Sequence, residues 1–243
     1  MKLKIQNLEH LQGRIGIFGD LHGVWDETIY AIKELQLDWV VSLGDVSDRG
    51  PKVFELYDLL ISNPNYFAVM GNHDHKLLRY FHGESINSSN RGFQSTLEQL
   101  LTKQDLDRSK YINYLENLPH IIKLPHRIVA VHAGLDPTKS LRDQDWKQCL
   151  KIRSFNPKHP NNVNNNKDPR WFDSLGAERE LLNYRIVFGH SQFEKIEVRK
   201  NVFALDGGAV FGNELRVMVL DTSANTESFH VYPCKMYYKK TDF

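Results

Sequence analysis

The chain has 243 residues, 41% of them hydrophobic and 25% charged, which is enough to build a full core and falls in the range of one α/β domain. Lys and Arg total 31 against 30 Asp and Glu, so no overall field recruits nucleic acid or an anionic membrane, and any anion must be bound by a local pocket. The charged start of the chain excludes a signal peptide and no apolar run could span a bilayer, while Cys149 and Cys234 lack the spacing of a disulfide framework or thiolate metal site; a soluble cytoplasmic protein is expected.

Short apolar runs of strand length recur along the chain, at 14–18, 39–43, 67–70, 128–131 and 186–188, each leading directly into a turn that contains Gly or His. Between the early ones lie helical patterns, Trp25, Ile29, Ile32 and Leu35, then Val53, Leu56, Leu59 and Leu60. The middle, 74–118, reads as mostly helical, and 185–233 reads as a run of strands. The expected fold is α/β, a two-sheet β-sandwich flanked by helices, in a single domain over 1–243. Residues 155–170 stand apart: Asn161, Asn162, Asn164, Asn165 and Asn166, with Pro157, Pro160 and Pro169, predict a mobile polar loop.

The turns after those strands carry the chemistry. Asp20 and His22 sit in Gly-Asp-Leu-His-Gly, Asp45, Asp48 and Arg49 in Gly-Asp-Val-Ser-Asp-Arg-Gly, and Asn72 and His73 in Gly-Asn-His-Asp; His132 and His190 each end a strand. Singly, Gly, Asp and Asn are ordinary turn residues. Turn propensity does not ask for His22, His132 and His190 as well, and strand ends of a wound α/β sheet converge on one crevice. Carboxylate, imidazole and amide-oxygen donors suit manganese, with iron or zinc as alternatives, and the lack of thiolate argues against a closed structural zinc. Six candidate ligands exceed what one open catalytic site takes, so two divalent cations are expected, an arrangement suited to phosphoryl hydrolysis.

In this order the motifs resemble the phosphoprotein phosphatase branch of the calcineurin-like metallophosphoesterases, over residues 19–212. The resemblance implies a calcineurin-like architecture in which Asp20, His22 and Asp45 hold one metal and Asp45 bridges to a second held by Asn72, His132 and His190. It implies that His73, oriented by Asp48, protonates the leaving oxygen, with a pKa raised by that carboxylate. Arg49 and a second arginine would grip phosphoryl oxygens; Arg153 matches best, with Arg170 in reserve. Asp74 after Gly-Asn-His, together with 76–80, 96–100 and 209–215, is similar to bacterial dinucleoside tetraphosphatases, whereas Asp48 is kept by protein phosphatases and is missing from symmetrically cleaving tetraphosphatases. The expected substrate is thus a small phosphate ester or anhydride of nucleotide type, and the alternative is a serine/threonine phosphoprotein. From other classes, a catalytically silent nucleotide- or protein-binding module would have lost ligands, and a nucleic-acid binder would show a basic stripe. Lys76 and Arg79 are weighed as contacts for a polyphosphate tail against a solvated helix face, and Trp171 and Phe172 as packing residues against base-stacking platforms. The oligomeric state is not legible.

Overall fold

A computed structural model of the chain describes residues 1–86, 91–102 and 108–239. Residues 87–90, 103–107 and 240–243, which the expected span of 1–243 includes, lie outside the described ones. Strand β1 (Ile5–Asn7) precedes β2 (Arg14–Phe18), which runs through helix α1 (Trp25–Glu34) to β3 (Trp39–Ser42) and through α2 (Val53–Ser62) to β4 (Tyr66–Ala68). β2, β3 and β4 pair in parallel, as near-continuous apolar runs joined by helical crossovers require. Helices α3 (Asn72–Phe81), α4 (Arg91–Thr102) and α5 (Arg108–Asn117) follow, matching the helical middle read from the sequence.

A second sheet then forms from β5 (Ile121–Leu124), β6 (Ile128–Val131), β7 (Arg185–Phe188), β8 (Glu197–Arg199) and β9 (Val202–Ala204), in the order β1-β5-β6-β7-β9-β8. The chain returns to the first sheet with β10 (Glu214–Asp221) and β11 (Thr226–Pro233), giving β11-β10-β2-β3-β4. Both sheets are mixed, and each contains a parallel trio: β2, β3, β4 along one side of the first and β6, β7, β9 within the second.

Alternation along the strands sorts the core into layers. Ile15 and Ile17 of β2 face Ile128, Ala130 and Val187 of the other sheet, forming the seam between them. Phe18 of β2 points the other way, into the helical layer with Leu56, Leu77 and Phe93. Val129, Val131 and Phe188 face outward on the second sheet, where the cover is mainly irregular chain carrying Trp171, Phe172 and Leu141, so helices flank the sandwich chiefly on one side. Trp171 is 1% exposed and lies edge-on to Phe188 with centroids 5.3 Å apart, which makes it a packing residue. In the 155–170 segment the asparagines build turns. The Asn156 and Asn165 amides both donate to the Asp168 carboxylate at 2.9 Å, Val163 is buried, and Ser154 bridges antiparallel to Arg170.

Ile17 is fully buried in the seam, so Ile17→Ala removes packed methylenes that the rigid strands around it cannot replace. Urea denaturation should show a loss of about 2–5 kcal/mol, against a change within about 0.5 kcal/mol for Val231→Ala at an exposed position of edge strand β11.

Candidate active site

Each strand of the two parallel trios ends in a turn bearing a donor side chain. β2, β3 and β4 deliver Asp20, Asp45 and Asn72; β6, β7 and β9 deliver His132, His190 and Asp206. These turns meet in one cavity of about 360 Å³, whose walls include Asp20, Asp45, Asn72, His73, His190 and Asp206. The backbones come close enough to demand glycine: a Cβ on Gly71 would stand 2.2 Å from the Asp45 nitrogen, and one on Gly189 would stand 2.1 Å from Asp20 Oδ1.

Several site residues are held in the left-handed region: His22 at φ 40°, Asp45 at 50°, Asp48 and Arg49 at 73°, and His190 at 62°. For non-glycine residues this costs of order 1–3 kcal/mol each, and hydrogen bonds between the turns offset it. His22 N–H donates to Asp45 O at 2.7 Å, Arg49 N–H to Gly92 O at 2.8 Å, and His190 N–H to Asp20 Oδ1 at 2.9 Å. Asp74, fully buried, ties the turns together. Its Oδ1 accepts from the Val46 and Ser47 amides at 2.9 and 3.1 Å and from the Tyr57 hydroxyl at 2.6 Å, while Oδ2 accepts from Gly71 N at 3.1 Å, closing the N-terminus of α3.

The donor atoms are oriented as a metal site orients them. His22 Nδ1 donates to Ser47 O and His132 Nδ1 to Leu43 O, both at 2.7 Å, which fixes their tautomers and turns the Nε2 lone pairs toward Asp45 Oδ2. Asp45 Oδ1 accepts from His73 N at 2.9 Å, so Oδ2 is the oxygen that faces the imidazoles, lying 3.8 Å from His22 Nε2, 3.9 Å from His73 Nε2 and 3.5 Å from His132 Nε2. His132 Nε2 and Asn72 Oδ1 face each other at 3.0 Å; with the His132 proton on Nδ1, neither atom has one to share, and a divalent cation is the partner such opposed donors fit. Two groups of metal-ligand atoms come together, His22 with Asp45 and His73, and Asp45 with His132 and His190. Asp45 belongs to both. Asp20 lines the cavity but falls outside these groups, one oxygen being committed to His190 N–H, and His73 stands where a ligand could.

Electrostatics agree with the donor set. Burial raises the Asp20 carboxyl well above its ordinary range, with Asp206 and Asp45 adding repulsion; burial likewise raises Asp45, with Asp74 adding to it, and also Asp206. Burial pushes His22 and His190 well down and His132 to about 4, which keeps the imidazoles neutral and able to coordinate. The raised pKa expected for His73 is not what the structure gives: burial lowers it, and Arg49 and Lys76 lower it further. Asp48 does contact His73 Nδ1 through Oδ2, but Lys76 Nζ binds the same oxygen and competes for its charge. Lys76 is therefore engaged within the site, and Arg79 pairs with Glu84 at 2.6 Å, so neither is a free contact for a substrate tail. Arg49 reaches His22 and His73, and Arg153 Nε donates to His190 Nε2 at 3.1 Å.

Residues 13–217 match the family model for calcineurin-like phosphoesterases. The chain belongs to the calcineurin-like phosphoesterase family. It is a hydrolase of the metallophosphoesterase type, and its His and Asp groups can hold the divalent metal ions that such a family implies. Among curated relatives, the asymmetrical bis(5'-nucleosyl)-tetraphosphatase PrpE of Geobacillus sp. (strain WCH70) is 26% identical, over 83% of this chain and 88% of its own, and that of Bacillus mycoides (strain KBAB4) is 26% identical over 82% and 87%. A crystal structure provisionally described as a diadenosine tetraphosphatase superposes with a TM-score of 0.74 at 24% identity, covering 96% of this chain and 99% of that one. A metallophosphoesterase from Sphaerobacter thermophilus gives 0.55 at 18% identity, over 93% and 90%. These structures share the metallophosphoesterase fold. Among the described residues no helix is long and apolar enough to cross a membrane.

Asp206 is a donor the sequence patterns above do not single out, because Leu205-Asp206-Gly207 inverts the apolar-Gly-Asp order of Phe18-Gly19-Asp20 and Leu43-Gly44-Asp45. Asp74 was read there only as a marker of the substrate branch. Asp74→Ala leaves the Tyr57 hydroxyl and three backbone amides without their acceptor, so a loss of at least about 3 kcal/mol is expected. Denaturant titration reads the stability. Metal content of the folded fraction should fall with activity, since the Asp45 turn and α3 lose their common tie.

Proposed function

We propose that the chain hydrolyses a phosphoanhydride of the dinucleoside tetraphosphate type, cutting the phosphate chain off-centre, with two divalent cations, manganese first among them, held by Asp20, His22, Asp45, Asn72, His132 and His190. The observation that carries the reading is Asp45 Oδ2, set among the Nε2 atoms of His22, His73 and His132 and shared by both ligand groups. When bound, such cations supply an acidified water as nucleophile and positive charge for the phosphoryl oxygens. The residues do the rest. Arg49 and Arg153 grip the phosphoryl oxygens with fork geometry. The Phe211 ring, 5.3 Å from the Arg49 guanidinium carbon, backs the first of these forks. His73, held at Nδ1 by Asp48, presents Nε2 to the leaving oxygen as proton donor, and a phosphoryl dianion beside it offsets the downward push of Arg49 and Lys76. The names of the relatives support both the substrate class and asymmetrical cleavage. The retained ligand set speaks against a silent binding module.

Side-by-side rates with manganese on diadenosine tetraphosphate, a serine phosphopeptide and a tyrosine phosphopeptide should rank the tetraphosphate first and yield nucleoside monophosphate plus triphosphate. A serine phosphopeptide ranked first makes the chain a phosphoprotein phosphatase instead. Asp45→Asn should abolish manganese-supported hydrolysis of an aryl phosphate together with metal loading. His73→Asn should keep both metals, read by elemental analysis, while turnover on poor leaving groups falls by about 10²–10⁴. If its metal content falls as steeply as its rate, His73 is a ligand.

A further inference from the structure

The cavity has a buried anionic floor and an exposed rim of a different character. Asp20, Asp45 and Asp206 are at most 8% exposed, whereas Arg153, Asn166, Arg170 and Gln192 are all exposed. The 155–170 segment creates this rim by folding back on itself. Ser154 bridges antiparallel to Arg170, Trp171 N–H donates to Arg153 O at 3.4 Å, and Phe155 N–H donates to Pro169 O at 3.0 Å, so the two arginines leave adjacent stretches of backbone. The turn that carries Asn166 is held by Asp168, which accepts from Asn156 and Asn165, and by Asn165 Oδ1, which accepts from Lys167 N at 3.1 Å.

The three arginines are not equivalent. Arg49 and Arg153 contact the histidines of the floor, where a single phosphoryl group would react. Arg170 instead lies over the Phe193 ring, 5.5 Å from its centroid, and Phe193 is itself packed on Phe172 and Phe188. Among the described residues no carboxylate pairs with Arg49, Arg153 or Arg170. Three like charges around one small cavity repel, and Arg170, seated on Phe193, stands apart from the two arginines that reach the floor histidines. A chain of linked phosphates presents anionic oxygens at successive positions and so meets both the floor and the rim.

We propose that Arg170, with Asn166 and Gln192, forms a second phosphoryl subsite on the cavity rim, selecting substrates that carry at least one further phosphate beyond the reacting one. This rests on the hydrolase reading above and adds to it the residues that discriminate an anhydride chain from a monoester.

The test is competitive inhibition of manganese-supported aryl phosphate hydrolysis by tripolyphosphate and by orthophosphate, on the wild-type chain, Arg170→Ala and Arg170→Lys. Arg170→Ala should weaken tripolyphosphate inhibition about tenfold more than orthophosphate inhibition. Arg170→Lys, which keeps the charge but not the fork, should fall between. The KM for diadenosine tetraphosphate should rise in Arg170→Ala by about tenfold relative to that for the aryl phosphate. Equal weakening of both inhibitors, or of neither, overturns the subsite, since the first marks Arg170 as a general phosphate clamp and the second as a bystander. If the wild-type enzyme hydrolyses the aryl phosphate but ignores the tetraphosphate, the nucleotide reading fails, and the inhibitor comparison still decides the subsite by itself.

Discussion

The carboxylate of Asp74 is the tie on which the site depends. It is fully buried, and the groups it accepts from belong to separate elements: the Asp45 turn, the Gly71 turn and Tyr57 of α2. A turn that bends through left-handed residues at Asp45, Asp48 and Arg49 cannot be held by its own backbone alone. Asp74 supplies acceptors to two amides within that turn and to the amide that opens α3, so the Asp45 carboxylate and the Asn72-His73 pair are set by one anchor. The geometry around Asp45 Oδ2 is thus a consequence of a residue that itself faces away from substrate.

Much of this was legible in the sequence because the constraint is local. The Gly residues beside the donor positions are demanded by backbone close approach, as Gly71 and Gly189 show, and a strand followed by Gly and a donor is a short-range pattern that survives without knowing the fold. The five strands read from apolar runs are present, since burial on both faces leaves an unbroken run to read. β1 and β5 escaped because β1 has only three residues and Lys123 interrupts β5. What the sequence hid is non-local. Asp206 follows β9, itself three residues long, and gains meaning only when β9 is seen as the third parallel strand of its sheet. The competition of Lys76 with His73 for Asp48 likewise requires three-dimensional neighbours.

The two sheets divide the chemistry between them. The first trio contributes two carboxylates and an amide, the second two imidazoles and a carboxylate, and His22 crosses the balance by following Asp20 in the same turn. Hard oxygen donors and neutral imidazoles together suit a borderline divalent cation better than either set would. Because each trio's strand ends sit on its own rigid sheet, the separation of the donor groups is fixed by the packing of the seam, and Ile15, Ile17, Ile128 and Val187 are in that sense part of the site's geometry.

Burial explains why a cationic rim accompanies this floor. Asp20, Asp45 and Asp206 are held close together and largely out of water, which costs free energy through desolvation and mutual repulsion. Arg49 counters part of it, lowering the Asp20, Asp45 and Asp206 pKa values while also reaching the His22 and His73 nitrogens. Its guanidinium therefore answers both to the charge on the floor and to any phosphate above it. On the proposed reading, divalent cations on the floor would relieve Arg49 of the first task and leave it to the second, so that metal loading and phosphate binding would reinforce one another through a single side chain. Arg170, which lies over Phe193 and touches none of the floor histidines, would stand outside that coupling on the same reading.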